Sequence, residues 1–384
     1  RADVSAFEKF IRNDWFIDSI RGLENKIKFF DLACNKDPES PYVRQHYARM
    51  LYRAGRTELA LAQVEQGIAI NPKTSPRVLI HTKGTILGAL ALQAESKDIG
   101  RRRLVQAEDT LRHAMQLNQR DEYTYQTLAT LYLDWVKQSK IDEESAAYLT
   151  KAEEVISEGL RRCREKDGLW IVSADIEQWL GNRPSQLKAL ETAVKEGPGS
   201  IIARYLLGKT YRHIGRYADA LAVLEPNIKN HPDEFRSFVE YALVLLASGR
   251  SLRESIAVLE IASVAGLSDA RYIAHLGGMH FLNGDFAKAS SVFAEVERRE
   301  LPPSEIQSVV FRPKRPGTGQ AHELVGRVLV RRPTYSLIES EGYPPLFCHS
   351  SKYRGLTLKE GMRVSFEVGF SAKGAVALEL REVT

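Results

Sequence analysis

Four glycines recur at a nearly constant interval in the middle of the sequence. They are Gly181, Gly215, Gly249 and Gly284, which lie 34, 34 and 35 residues apart. Each is followed by a stretch of helical periodicity, and the clearest copy is GRYADALAVLEPNIKNHP, from residue 215 to 232. A repeat of this length holds one pair of helices, so successive pairs must stack to bury their apolar faces. The spacing therefore predicts a helical solenoid.

Each unit also has a small residue in the middle of its first helix. These residues are Ala174, Gly208, Ala242 and Gly277. Two helices pack closely only where one side chain is nearly absent, and larger neighbours such as Leu207 and Tyr211 fill the flanking grooves. Four such units in phase resemble tetratricopeptide (TPR) repeats. The resemblance implies a superhelical solenoid of about seven repeats whose concave face, lined by the first helices, binds a protein or peptide partner.

The repeat pattern divides most of the chain. We assign residues 1–37 to a degenerate N-terminal helical repeat and 38–300 to the solenoid, with two elongated repeats within 76–160. From Gly84 to Ala107, and again from Ala129 to Ala152, small positions lie 23 residues apart, whereas Gly208 and Ala220 lie 12 apart. The added residues are mostly polar, which predicts helices extended beyond the turn at one edge of the solenoid. That edge is either a binding face or a solvated ridge without a partner.

The C-terminal part has a different pattern. Residues 301–322 contain prolines, glycines and basic side chains and are predicted to be a linker. Residues 323–384 hold five short alternating runs, GRVLVR, YSLIES, PLFCH, RVSFEV and AVALELREV, which predict strands. A sheet this small avoids unpaired edges by closing into a barrel. The fold class is thus mainly α, a solenoid followed by a small all-β barrel.

The barrel sequence resembles the cold-shock subgroup of oligonucleotide-binding (OB) barrels. The matching residues are Gly326, Val328, Phe347, His349, Leu358, Gly361, Val364, Phe366, Ala372, Lys373, Gly374 and Ala377. The resemblance implies that Tyr335, Phe347 and His349 stack against the bases of single-stranded RNA or DNA. The basic residues predicted to follow the phosphates are Arg331, Arg332, Lys352 and Arg354.

This chain departs from the cold-shock pattern at several positions. Leu337 and Ser350 stand where the family has aromatic residues, and Pro333 and Thr334 replace a Lys-Gly pair. A second hypothesis follows from these departures. The barrel binds no nucleic acid and serves only as a capping or docking module, with its rings partly covered by another domain.

Basic side chains at predicted concave positions are candidates for peptide binding. They are Arg49, Arg53, Lys209, Arg212 and His213. Pairs of cations four residues apart can hold a carboxylate, and they loosely resemble the carboxylate clamp of chaperone-binding TPR proteins. The asparagines of that clamp are absent here. Ordinary surface salt bridges are the competing interpretation.

The sequence argues against several other classes of protein. No apolar run approaches the roughly 18 residues of a membrane span. The three cysteines are far apart, and no metal or cofactor motif is present. Gly208 begins a GKT triplet, but Ala203 stands where a phosphate loop needs glycine. Cys348 and His349 are adjacent in a strand and point to opposite faces. We therefore predict no catalytic activity, no cofactor and no bound metal.

The expected role is a non-catalytic recognition and scaffolding module in the cytoplasm. A TPR array joined to an OB barrel resembles the C-terminal tails of large multidomain signalling or defence NTPases. Because the sequence begins at Arg1, we expect it to be the sensor or assembly arm of a longer protein. The alternative is a scaffold that binds proteins only.

Overall fold

The structure is a computed structural model that describes residues 20, 22–70, 76–138, 143–262, 266–299, 301, 306–314, 320–353 and 356–383. The chain divides into two compact units, residues 1–199 and 200–384. In both units, helices follow one another in antiparallel pairs, which we call hairpins. Most of the predicted repeat at residues 1–37 lies outside the described residues.

The first unit holds one single helix and four hairpins within the described ranges. Its helices are α1 (Leu23–Lys36), α2 (Pro41–Arg53), α3 (Thr57–Ile70), α4 (Arg77–Leu92), α5 (Lys97–Leu117), α6 (Glu122–Gln138), α7 (Glu143–Arg162), α8 (Asp167–Trp179) and α9 (Arg183–Glu196). The hairpins are α2–α3, α4–α5, α6–α7 and α8–α9.

The second unit continues with hairpins and ends in strands. Its described helices are α10 (Ile201–His213), α11 (Tyr217–Asn230), α12 (Phe235–Ala247), α13 (Leu252–Ile261), α14 (Ala270–Leu282), α15 (Phe286–Phe293) and α16 (Glu295–Arg298). Its strands are β1 (Glu323–Arg331), β2 (Tyr335–Ser340), β3 (Tyr343–His349), β4 (Arg363–Ser371) and β5 (Gly374–Glu382). The predicted array of hairpins followed by a barrel is confirmed.

The recurrent glycines end the first helix of each regular hairpin. Gly215 has a φ of 79°, and the glycines at 55, 181, 249 and 284 have φ values from 75° to 82°. This left-handed conformation is strained for other residues, so glycine is the natural choice at the turn. In the turn at Gly215, the backbone N–H of Arg216 donates to the Tyr211 carbonyl at 2.9 Å. This bond gives a carbonyl in the last turn of α10 a hydrogen-bond partner.

The small residue of each first helix marks the crossing with the second helix. A Cβ atom built on Gly208 would lie 2.5 Å from Cγ of Leu224, too close for any side chain larger than hydrogen. The crossing is reinforced by Asn227, which is fully buried in α11. Its amide donates to the Ile201 carbonyl at 2.9 Å and to the Ser237 hydroxyl at 3.0 Å, and so links three helices.

The hairpins α4–α5 and α6–α7 have longer helices than the regular hairpins. Helices α4 and α5 have 16 and 21 residues, compared with 13 and 14 in the regular hairpin α10–α11. Their added turns are not simply a solvated ridge, because they bury Leu104, Trp135, Val136 and Tyr148 in one cluster. The two elongated hairpins cover each other's apolar residues.

The barrel is closed, with strand order β1-β2-β3-β5-β4. Strands β3 and β5 are parallel and the other neighbours are antiparallel. Gly326 of β1 is essential to this packing, because a Cβ atom there would overlap the backbone carbonyl oxygen of Glu339. The barrel interior contains Val328, Ile338 and Phe366, each nearly inaccessible to solvent.

Residues 306–314 of the predicted linker are part of the barrel packing. Phe311 forms an antiparallel bridge with Phe370 of β4, and its ring is buried. The backbone N–H of Phe370 donates to the Phe311 carbonyl at 2.8 Å. We call residues 309–314 the anchor segment, because they hold the barrel against the last hairpin.

The barrel packs directly on helix α14. The rings of Phe311 and Phe370 lie over Gly278, where an added Cβ atom would come within 2.9 Å of each ring. Phe281, one turn further along the helix, lies 5.6 Å from Phe370 and 5.5 Å from Tyr343 between ring centroids. These residues belong to one buried cluster that spans the last hairpins and the barrel interior. The barrel therefore caps the helical array of this unit.

Candidate interaction surfaces

The first helices of successive hairpins contact one another in each unit. In the first unit α4 contacts α2 and α6, and α8 contacts α6; in the second unit α12 contacts α10 and α14. Their exposed side chains therefore form a surface in each unit, which we call the first-helix surface. The five basic residues predicted to bind peptide lie on two of these first helices, α2 and α10.

Helix α2 presents arginine and tyrosine side chains on its exposed face. Arg49 and Arg53 are exposed, as are Tyr42 and Tyr52, each at 36%. Tyr42, Arg49 and Arg53 follow one another at seven and four residues, which places them on one stripe of the helix. The opposite face buries Ala48 and Leu51. Tyr42 and Tyr52 lie on the same helix of the repeat as Arg49 and Arg53. The repeat pattern that predicted the arginines could therefore also have identified the tyrosines.

Polar side chains tie α4 to α6 on the same surface. Nε2 of His81 lies 3.0 Å from the Thr127 hydroxyl, and Arg77 forms an ion pair with Asp121. Burial lowers the pKa of His81 and so favours its neutral form at neutral pH. These side chains are engaged with each other, and they hold neighbouring first helices in register.

In the second unit, the predicted basic residues differ in their surroundings. Arg212 is bound to Glu240 of α12, with Nε 2.5 Å from Oε1 and Nη2 3.4 Å from Oε2. Glu240 is only 4% exposed, so removal of this arginine would leave a buried carboxylate without its ion-pair partner. Lys209 and His213 are exposed on the same helix. Arg212 is therefore primarily a structural residue, and Lys209 is the better candidate for a ligand contact.

Three further residues of this surface were not predicted. Tyr205 is half-buried on α10, and Arg236 and Arg271 occupy the first turns of α12 and α14. Burial raises the pKa of Tyr205, the nearby Glu240 carboxylate adds to the rise, and Arg236 and Arg271 oppose it. Arg236 forms an ion pair with Glu234 at 2.7 Å. The spacing of the repeats could have identified Tyr205, Arg236 and Arg271 as residues of the first-helix surface.

The barrel carries its predicted ring pair on the outer face. The rings of Tyr335 on β2 and Phe347 on β3 stack with centroids 5.5 Å apart and an angle of 24° between planes. Phe347 is 41% exposed and Tyr335 is half-buried. Leu337 of β2 is the cross-strand neighbour of Phe347 on β3. The position beside the two rings therefore carries an aliphatic side chain.

Polar groups border the ring pair at one end. His349 pairs with Tyr335, and its Nδ1 accepts a hydrogen bond from the Ser351 backbone N–H at 3.2 Å. When the imidazole is neutral, this bond leaves the proton on Nε2, which can then donate to a ligand. Arg332 and Lys352 are exposed and lie close to the ring pair in the sequence. The guanidinium carbon of Arg331 lies 5.8 Å from the centroid of the Tyr353 ring. Arg354 lies outside the described residues.

Cys348 and His349 differ in exposure although they are adjacent in β3. Cys348 is fully buried between the exposed Phe347 and His349, and burial raises the pKa of its thiol to about 12. No three histidine, cysteine or acidic side chains converge as a metal site within the described ranges. Nor does any described helix combine the length and apolar character needed to cross a bilayer.

Comparison with known proteins supports the repeat fold. Residues 180–235 match the tetratricopeptide repeat family model. No curated protein matches the chain significantly. The chain is similar to the TPR protein TTC0263 of Thermus thermophilus, with 21% identity over 54% of this chain and 100% of that one, at a TM-score of 0.43.

Two other solved structures are similar over a larger share of the chain. A tetratricopeptide repeat protein from Parabacteroides merdae has 14% identity over 68% of this chain and 93% of its own, at a TM-score of 0.41. A monomeric IFIT1 mutant with m7Gppp-AAAA has 17% identity over 77% of this chain and 60% of its own, at a TM-score of 0.38. At this level of identity, the likeness concerns the fold alone.

Proposed function

We propose that this chain is a non-catalytic interaction module whose first-helix surfaces bind a protein or peptide partner. The observation that carries the proposal is the stripe on α2, where Tyr42, Arg49 and Arg53 share one exposed helix face. Tyrosine and arginine contribute most of the binding energy in many protein interfaces, since both combine a large contact area with hydrogen bonding. The TPR match at residues 180–235 supports the same role.

The test selects peptides from a random display library against the full chain. We expect enriched sequences to lose binding to a Tyr42→Ala, Arg49→Ala, Arg53→Ala variant. Leu59→Ala is the control, because Leu59 is 58% exposed but lies on the second helix α3. The proposal fails if no sequences enrich, or if the control weakens binding as much as the triple variant does.

A second candidate function is the binding of single-stranded RNA or DNA on the barrel. The exposed stack of Tyr335 and Phe347 favours it, since a ring stacked on a base contributes about 1–3 kcal/mol. Because these two rings face each other, only their outer faces can accept a base. His349, Arg332 and Lys352 would then contact the sugar and phosphate groups. The closed strand order is consistent with the OB-type architecture that the sequence resembles.

Fluorescence anisotropy with labelled RNA and DNA at two salt concentrations tests this second function. Binding that weakens in salt and is lost in a folded Tyr335→Ala, Phe347→Ala variant supports it. No binding at tens of micromolar leaves the barrel as a cap for the last hairpin. Its packing on Gly278 favours the capping role whether or not a nucleic acid binds.

The proposal extends to the protein that would contain this module. A module that recognises partners through its helices and through its barrel suits the sensor or assembly arm of a larger cytoplasmic protein. The resemblance to defence NTPase tails concerns architecture, and a full-length sequence that contains a nucleotide-binding region would test it.

A further inference from the structure

Helices α10, α12 and α14 present an unusual set of polar groups on the first-helix surface of the second unit. Tyr205 and Lys209 lie one turn apart on α10, and Arg271 lies in the first turn of α14. Helix α12 contacts both α10 and α14. The three side chains therefore lie on the surface that these three helices form.

Most other charges of this area are already paired. Arg212 is engaged by Glu240 and Arg236 by Glu234. Asp269 caps helix α14, where its carboxylate accepts hydrogen bonds from the backbone N–H groups of Arg271 and Tyr272 at 2.8 and 3.0 Å. The local carboxylates are thus committed to other partners.

Tyr205, Lys209 and Arg271 have no such partners. Within the part of the chain that the structure describes, neither Lys209 nor Arg271 has a carboxylate within ion-pair distance, and the Tyr205 hydroxyl makes no hydrogen bond. Tyr205 is half-buried. Two unpaired cations and one hydroxyl donor leave this surface complementary to carboxylates.

The spacing of the helices indicates an extended ligand. Helix α12 contacts both α10 and α14, and packed helices lie about 8–10 Å apart, so the axes of α10 and α14 lie about 16–20 Å apart. An extended chain covers about 3.3 Å per residue, so roughly five or six residues bridge this distance. The anchor segment bounds the site on the α14 side, because Phe311 packs on His275, one turn beyond Arg271, with ring centroids 4.9 Å apart.

We propose that Tyr205, Lys209 and Arg271 bind the side-chain carboxylates of an internal acidic segment of a partner protein. The inference rests on the proposed protein-binding function and names the class of partner for the second unit. A carboxylate of the segment bonds to Lys209, a second bonds to Arg271, and the Tyr205 hydroxyl donates to one of them. Because the two cations lie on two helices, α10 and α14, with α12 between them, the ligand is a stretch of chain rather than a C-terminal carboxylate alone.

The test uses a fluorescein-labelled peptide of about eight alternating glutamate and serine residues, with its C-terminus amidated. Anisotropy is measured with the full chain, and a lysine–serine peptide serves as the charge-reversed probe. We expect salt-sensitive binding of the glutamate peptide alone. A Lys209→Gln, Arg271→Gln variant should weaken it at least tenfold, and Tyr205→Phe should weaken it about threefold.

The matched control is Lys188→Gln, Arg253→Gln, which removes the same charge from exposed positions of the second helices α9 and α13. It should bind the glutamate peptide as the wild type does. Equal weakening in the two double variants means non-specific attraction and overturns the inference. Binding of the lysine peptide, or wild-type affinity in the Lys209→Gln, Arg271→Gln variant, also overturns it. If the glutamate peptide fails to bind but display-selected peptides do bind, this inference fails and the proposed function stands.

Discussion

Truncation of Phe370 tests whether the barrel is fixed to the last hairpin. Phe370 is fully buried and contacts Gly278, Phe281 and Phe311. Replacement of such a ring by alanine costs about 3–5 kcal/mol of unfolding free energy, because it removes apolar contacts and leaves a cavity. Phe347 is the matched control, since the same residue type in the same barrel is 41% exposed. Phe347→Ala should cost about 1 kcal/mol.

Hydrogen exchange of the full chain, followed by mass spectrometry, provides the local measurement. Opening of α14 and β4 should become easier in Phe370→Ala than in Phe347→Ala by about 2–4 kcal/mol. That difference corresponds to roughly 30-fold to 1,000-fold faster exchange, since 1.4 kcal/mol is tenfold. Peptides from the first unit should exchange alike in both variants. Equal exchange of α14 in the two variants would refute the packing argument.

Three further substitutions test other parts of the structure. Arg212→Gln leaves the buried Glu240 carboxylate unpaired and should cost about 3 kcal/mol in denaturant unfolding, whereas Lys209→Gln should change stability by less than about 0.5 kcal/mol. Burial and the nearby acidic residues Asp167 and Glu165 raise the pKa of Glu122 to about 6. Ionisation of Glu122 therefore costs stability as pH rises from about 4.5 to 6, and Glu122→Gln should stabilise the chain by about 1–2 kcal/mol at pH 7 and by little at pH 4.5. Gly208→Val should destabilise the α10–α11 hairpin by more than about 2 kcal/mol, because its side chain overlaps Leu224; thermal melting close to wild type would contradict this.

Most of the helical array could be predicted from local patterns. The turn glycines recur because a left-handed residue must end each first helix, and the crossing positions require a small side chain. Both requirements depend on residues close together in sequence, so they leave a periodic signal. The strands of the barrel follow from the same kind of local alternation.

The packing between distant segments could not be predicted in this way. Phe311 lies in a proline-rich stretch that indicates a linker, yet it pairs with Phe370, about 60 residues later. Trp135 and Tyr148 lie in mostly polar insertions and are buried because two elongated hairpins cover each other. In neither case does the sequence nearby indicate the distant residues that bury the ring.

The candidate sites show the same limit. The repeat phase predicts Lys209 and Arg212 at equivalent concave positions, but it does not indicate that Arg212 is paired with Glu240. That pairing depends on residues from different hairpins. The rings of Tyr335 and Phe347 stack on each other. Whether they bind nucleic acid stays a prediction.

The central claim is that the first helices recognise a partner. The most direct measurement is hydrogen exchange of the full chain with and without a display-selected peptide at saturating concentration. The account predicts slower exchange in first helices such as α2 or α10, and unchanged exchange in the second helices α3 and α11. Protection confined to the second helices, or to the barrel, would contradict it.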